Sequence, residues 1–265
     1  LSPSEVRKSF VSVAREGHVC VVTLERPEAM NAISGALADE LSATFRELAR
    51  EKDVWVVVLG AAGEKAFCVG ADLKERAGFS LEDFYRNREQ IKGLFESIRK
   101  LPQPTVAAVF GFALGGGFEL TLSCDVVVAA EGTQFGLPET RVGLLPAGGG
   151  TQLLTRKLGL ARAKDLIFRG RRFDAAEAYR LGLVSEVVPR SEVDECAHEL
   201  AADICKSSPV AVRAAKRSID AALGVSIDEG IEIENDAWKR VIASEDRLEG
   251  IAAFNDKREP RWSNK

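Results

Sequence analysis

Apolar positions along the chain follow different periods in different stretches. Over residues 10–14 and 18–24 they alternate with polar ones, and the polar Arg15-Glu16-Gly17 between the two stretches predicts a β-hairpin. From Ser34 to about Glu51 the period becomes helical: Leu37, Leu41, Phe45 and Leu48 recur on one face, with Ser34 placed to cap the first turn. Residues 54–59, 104–110 and 125–130 are continuous apolar runs, which predicts strands covered on both faces. The first half thus alternates strand, helix and strand, an order that favours an α/β fold with largely parallel pairing.

After about Gly150 the pattern changes. Residues 153–158, 161–168 and 175–181 read as short helices before one more strand over 183–188, and from Ser191 onward nearly everything is helical. Ser191 with Asp194 and Ser226 with Glu229 have the spacing of an N-cap and its third helical residue, and Gly224 marks a stop for the helix carrying Val210, Val212, Ala215 and Ile219. The apolar faces of these last helices must be buried on the core or against other subunits.

Composition narrows the function classes. The 265 residues are 46% hydrophobic and 29% charged, as in an ordinary globular protein large enough for a sizeable core, and disordered and fibrous classes drop out. A net charge of −4 without blocks of like charge gives no field to attract phosphate backbones, so nucleic acid is not expected as a primary partner. No apolar run approaches the roughly 18 residues of a membrane span. The two histidines, His18 and His198, have no partner at helical ligand spacing, and no metal is expected. The five cysteines lack CxxC spacing and basic neighbours, and read as reduced intracellular thiols filling core space.

Three glycine-bearing turns carry the candidate chemistry. In PTVAAVFGFALGGGFELTLSCDVVVAA, residues 104–130, a buried strand runs into Gly111, then Gly115 to Gly117, then a helix beginning near Phe118. Backbone amides in such a turn can approach a bound group closely, and the helix N-terminus favours negative charge there. Glu119 lies in the first turn of that helix among apolar neighbours; a carboxylate there serves either the helix dipole or a reaction. A second turn, AFCVGADLK at 66–74, leaves the Ala71 amide at a strand end. In the third, FGLPETRVGLLPAGGGT at 135–151, Pro138 makes Glu139 a turn residue, which taken singly is most often a solvated charge.

Together with LERPEAMNAIS at 24–34 and SEDRLEGIAAFNDKREP at 244–260, these segments closely resemble the enoyl-CoA hydratase/isomerase (crotonase) superfamily over nearly the whole chain. The resemblance implies an α/β fold built as a crotonase (ClpP/crotonase-like) spiral of repeated β-β-α units. A core over residues 1–200 would hold an acyl-CoA site, and a helical region over 201–265 would serve trimerisation and complete the CoA pocket. It implies a homotrimer or a hexamer made of two trimers, and no separate cofactor, since CoA enters as part of the substrate. The backbone amides of Ala71 and Gly116 would form an oxyanion hole for the thioester enolate. Glu119 would hold and deprotonate water, and Glu139 would protonate C2. Ala29 and Ala71, Asp72, Leu73 and Lys74 would contact CoA, with Phe254 and Lys257 in the nucleotide pocket, often from a neighbouring subunit; by spacing alone Phe254 reads equally as a helix-packing residue.

Presence of both glutamates points to a hydratase of 2-trans-enoyl-CoA. Methylglutaconyl-CoA hydratases use the same pair and share GLPETRVGLLPAGGGTQ-like and EDRLEGIAAFNDKREPRW-like segments, so only the acyl pocket separates the two readings. Δ3-Δ2 enoyl-CoA isomerases commonly keep one carboxylate, and a non-catalytic scaffold needs neither. One departure stands near the chemistry: Pro146 is followed by Ala147 where many hydratases have glycine. The expected location is the cytoplasm for a bacterial source, or the mitochondrial matrix where a transit peptide has been removed ahead of Leu1.

Overall fold

The computed structural model describes residues 9–265. The chain opens with the hairpin β1 (Val11–Glu16) and β2 (Val19–Leu24), antiparallel and turned at Gly17. Helix α1 (Gly35–Leu48) follows, with the Ser34 hydroxyl accepting from the Leu37 amide; it stops three residues earlier than its pattern predicts, the chain continuing in turns through Glu51.

Three similar units come next. β3 (Val56–Ala61) and β4 (Ala66–Cys68) lead into α2 (Leu73–Arg76) and α3 (Leu81–Arg99). β5 (Thr105–Val109) and β6 (Phe112–Leu114) lead into α4 (Gly116–Ser123). β7 (Val126–Ala130) and β8 (Gln134–Gly136) lead through a 3-10 turn, Glu139–Val142, into α5 (Gly150–Leu158). The first strand of each unit enters a six-stranded sheet ordered β1-β2-β3-β5-β7-β10, and the second enters a four-stranded sheet ordered β4-β6-β8-β9. Pairing is parallel throughout except for β1 with β2 and β8 with β9. The chain thus winds as a spiral of strand, strand and helix rather than as the single wound sheet that alternation alone predicts.

The continuous apolar runs have the expected cause. In β3, Val57 and Leu59 face the core shared with α1, α3 and α4, while Val56 and Val58 face a second cluster on the opposite side; β5 and β7 alternate in the same way. That second side is covered by α8 (Val193–Ile204), through Val193, Ala197 and Ala201. Before it come α6 (Leu160–Arg169), β9 (Arg172–Asp174), α7 (Ala175–Arg180) and β10 (Glu186–Val188). After it come α9 (Pro209–Ala221), α10 (Ile227–Ile242) and α11 (Glu245–Asp256).

Three sequence expectations need correction. Ser191 does not cap α8: Pro189 starts a 3-10 turn over Arg190–Glu192, and the helix begins beyond it without a side-chain cap. The helix after the three glycines begins at Gly116, two residues before Phe118. The strand β6 between Gly111 and those glycines was not foreseen, because three residues are too few to display a period. Ser226 and Glu229 form the expected capping box. Gly224 lies just past the α9 cap, its amide donating to the Ala221 carbonyl.

Candidate active site

The parallel strands β4, β6 and β8 lie side by side, so their C-terminal exits open on one place. The exit of β4 is Val69-Gly70-Ala71, that of β6 is Gly115-Gly116, and that of β8 is Leu137-Pro138-Glu139. Gly115 adopts φ 53°, a left-handed conformation that turns the chain directly from strand into helix, and its amide donates to the Gly136 carbonyl at 2.8 Å. A Cβ on Gly115 would stand 2.9 Å from Glu139 Oε1. Gly117 is required for a different reason: a Cβ there would lie 1.9 Å from the Cys68 carbonyl oxygen, so α4 presses its backbone against the end of β4.

The two exits bring the amides of Ala71 and Gly116 together. Ile33 bridges Ala71, its amide donating to the Gly70 carbonyl at 2.7 Å while the Asp72 amide donates back to Ile33 at 3.0 Å. That pairing holds the Gly70–Ala71 peptide against α4, where a Cβ on Gly116 would be 3.7 Å from the Ala71 nitrogen. Neither the Ala71 amide nor the Gly116 amide, the first of its helix, has a hydrogen-bond acceptor among the described residues.

Both glutamates face the same cavity, of about 570 Å³, which also exposes Ala71 and Gly116. Glu119 is only 3% exposed. Its Oε1 accepts from the amides of Gly148 and Gly150, each at 2.7 Å. Burial raises its pKa, and these two amides act against the rise by stabilising the ionised form. Glu139 opens the 3-10 turn, and its Oε2 is buried without a hydrogen-bond partner. Burial pushes its pKa up to about 7, its own amide opposing and the charge of Glu119 adding to the effect. The pair therefore presents one carboxyl group braced by two backbone donors and one with a pKa near neutrality, two different environments on one cavity.

A stability consequence follows from the Glu139 shift. Between the ordinary glutamate pKa of about 4.5 and the folded value of about 7, the folded state binds the proton that the unfolded chain has released, so stability falls as pH rises through this window. Glu139→Gln is expected to stabilise the protein at pH 8 by up to about 3 kcal/mol and to give little of that gain at pH 4, compared by urea unfolding at the two pH values.

Of the remaining predicted site residues, only Leu73 lines this cavity. Asp72 is occupied otherwise: it caps α2 by accepting from the Lys74 and Glu75 amides and pairs with Arg26 at 3.0 Å. Burial acts to raise its pKa, but the Glu75 amide and Arg26 outweigh it and hold the carboxyl below its usual range. Ala29 belongs to a 3-10 turn, Pro27–Ala29, at the edge of a separate cleft formed with residues 62–66. Phe254, 84% exposed on α11, and Lys257, the left-handed cap of that helix, do not border the cavity of their own chain.

Sequence reasoning left two sets of residues unnamed here. The amides of Gly148 and Gly150 that brace Glu119 are backbone groups, invisible to residue type. Phe84, Asn87, Arg88, Ile91 and Phe95 line the cavity from one stripe of α3; the resemblance assigns residues 79–98 to the acyl pocket without singling these out, and their i, i+3, i+4, i+7 spacing was the available signal. Ala147 also lines the wall. The cysteines take no part: burial pushes Cys68 and Cys124 up to about 12, leaving them protonated at neutral pH.

The sequence profile described as enoyl-CoA hydratase/isomerase matches residues 14–265. The chain belongs to that family. It is 43% identical over 266 aligned positions to the human protein named "Enoyl-CoA hydratase domain-containing protein 2, mitochondrial", covering 99% of this chain and 91% of the relative. The crystal structure of an enoyl-CoA hydratase from Bacillus anthracis superposes with a TM-score of 0.95 at 43% identity, covering 97% of this chain and all of the other. That of an enoyl-CoA hydratase from Mycobacterium smegmatis gives 0.90 at 32% identity, covering 96% and 99%. The spiral is thus the crotonase fold, and the family acts on acyl-CoA substrates. Among the described residues no helix is long and apolar enough to cross a membrane.

Proposed function

We propose that the protein is an enoyl-CoA hydratase, adding water across the 2,3 double bond of 2-trans-enoyl-CoA to give 3-hydroxyacyl-CoA. The observation that carries this reading is the pair of glutamates, Glu119 buried and Glu139 half-buried, facing one cavity beside two amides without acceptors among the described residues. Glu119, its Oε1 held by the Gly148 and Gly150 amides, accepts a proton from water as the water oxygen bonds to C3. Negative charge passes to the thioester oxygen, where the Ala71 and Gly116 amides meet it with dipoles already in place. Glu139, with a pKa near 7, delivers a proton to C2. Each turnover leaves Glu119 protonated and Glu139 ionised, and proton exchange resets the pair.

In this reading Ala29 and the backbone over 71–74 receive the CoA moiety, and Phe254 and Lys257 complete a nucleotide pocket across a subunit boundary in a trimer or hexamer. The exposed apolar side chains Ile219, Leu223, Ile227, Trp238 and Ile251 on and between α9 and α11 support such an assembly. Purified protein is expected to bleach the enoyl-thioester absorbance of crotonyl-CoA and to yield 3-hydroxybutyryl-CoA by mass spectrometry. Absence of both signals would refute the assignment.

A further inference from the structure

The two enolate donors differ in how their peptides are held. Gly116 opens α4, a helix pressed against the end of β4. The Gly70–Ala71 peptide belongs to no strand. Its carbonyl accepts from the Ile33 amide at 2.7 Å, and the Asp72 amide donates to the Ile33 carbonyl at 3.0 Å, an isolated bridge between two loops. A peptide unit is planar and trans, so the hold on the Gly70 carbonyl also sets the direction of the Ala71 N–H, which points the opposite way. Two hydrogen bonds are a slight hold for a donor that must meet charge at a fixed place, and Gly70, at φ 90°, has no side chain to restrict its rotation.

One side chain spans both partners of that bridge. Arg26 stands two residues beyond β2. Its Nη1 donates at 2.5 Å to the carbonyl of Ala32, the residue before Ile33, and its Nη2 donates at 3.0 Å to Oδ2 of Asp72, the residue after Ala71. The ion pair is sheltered, with side-chain exposures of 16% and 13%. Asp72 divides its carboxylate: Oδ1 accepts from the Lys74 and Glu75 amides and caps α2, while Oδ2 faces the arginine. The helix cap does not depend on Arg26; what the arginine adds is a tie between the donor segment and the 26–33 loop. That loop is itself anchored. The fully buried Asn31 accepts from the Arg26 amide on Oδ1 and donates through Nδ2 to the carbonyls of Ala62 and Ala66, and the Met30 carbonyl accepts from the Val69 amide at 3.2 Å.

We infer that Arg26 is a positioning residue for enolate stabilisation: through Ala32 and Asp72 it clamps both sides of the Ile33–Ala71 bridge and so aims the Ala71 amide at the thioester oxygen. The inference rests on the hydratase reading and adds to it the group that orients one of its two donors. Arg26 does not border the cavity and touches no substrate in this role. A planar fork with donors on separate arms suits the task, whereas lysine keeps the charge but offers a single point donor that cannot hold two partners in one plane. Loss of the clamp lets the donor peptide rotate. That costs the transition state more than the bound thioester, because charge on the oxygen is small in the ground state and large in the enolate.

Variants read by turnover and by an optical probe separate aiming from folding. Arg26→Met is expected to lower kcat for crotonyl-CoA about 10- to 100-fold, with KM within about threefold of the parent. Arg26→Lys should recover part of that loss. Asp72→Asn keeps an oxygen able to cap α2 but gives up the charge, and should lower kcat about 3- to 10-fold. Combined with Arg26→Met it should add less than its own factor, since both act through one clamp. A cinnamoyl-CoA thioester, whose conjugated ultraviolet band moves to longer wavelength as its carbonyl is polarised, reads the donors without turnover. Saturating protein should shift that band, and Arg26→Met should reduce the shift by about half or more. A merely structural pair would lower the unfolding midpoint yet leave the band shift and the kcat per folded molecule as in the parent; that result overturns the inference, as does a parent that shifts the band not at all. Should Arg26→Met fail to fold, parental kcat and band shift in Asp72→Asn overturn it equally. Crotonyl-CoA left unhydrated by a parent whose band shift still shrinks in Arg26→Met would sink the hydratase reading and leave the clamp standing; hydration with unaltered kcat and shift in the variants would sink the clamp alone.

Discussion

Exchanging Glu119 for glutamine is expected to lower kcat for crotonyl-CoA hydration by about 100- to 10,000-fold while leaving the fold and the substrate KM little changed. Glutamine has nearly the same shape, and its carbonyl oxygen can still accept from the Gly148 and Gly150 amides, so the loop that holds the carboxylate stays in place. What disappears is the capacity to take a proton from water. Glu139→Gln should cost a comparable factor by removing the proton donor, and the double variant should cost less than the product of the two, because both act in one proton circuit. Measuring kcat and KM of all three against the parent checks this; a loss smaller than tenfold in Glu119→Gln would show that another group activates water.

A single methyl group on Gly117 should be almost as damaging by a different route. Its carbon would stand 1.9 Å from the Cys68 carbonyl oxygen and 2.6 Å from the carbonyl carbon, both backbone atoms that no rotamer change can move. Relief requires β4 and α4 to separate, and these elements lead to the Ala71 amide and begin with the Gly116 amide respectively. Gly117→Ala is therefore expected to destabilise the protein by about 3 kcal/mol, at the upper end for overpacking, and to lower kcat by displacing one enolate donor, for which about 100-fold is a reasonable scale. Urea unfolding and turnover on the same preparation measure both. A native midpoint in that variant would contradict the close approach of strand and helix.

The contrast between the two substitutions shows what was legible in the sequence. Glu119 and Glu139 were found because they stand in recurrent local contexts, ALGGGFEL and GLPET, whose order along the chain matches a family. The large-sheet strands were found because both faces are covered, which gives runs such as VWVVVL at 54–59. The strands that build the site, β4, β6 and β8, are three residues each, and what defines them is pairing with partners some 20 or more residues away. Sequence period cannot express such a strand; β4 was read from the apolar residues before Gly70, and β6 and β8 were not. Nor can it express that the Gly148 and Gly150 amides converge on one oxygen, since any residue type supplies an amide. The lining side chains of α3 were not singled out for a related reason: polar and apolar residues share that stripe, and only the position of the cavity shows which of them border it.

The placement of the site at the exits of β4, β6 and β8 also divides the molecule by what can vary. Adjacent paired strands stand about 4.8 Å apart whatever side chains they carry, so the spacing of the enolate donors and the two carboxyls is inherited from main-chain hydrogen bonding. The cavity wall formed by Leu73, Ile91 and Phe95 is borne by α2 and α3, which lie outside that ladder. Exchanging this helical stretch for that of a relative should transplant acyl preference while the reaction itself persists, making substrate choice an interchangeable part mounted on a fixed chemical frame.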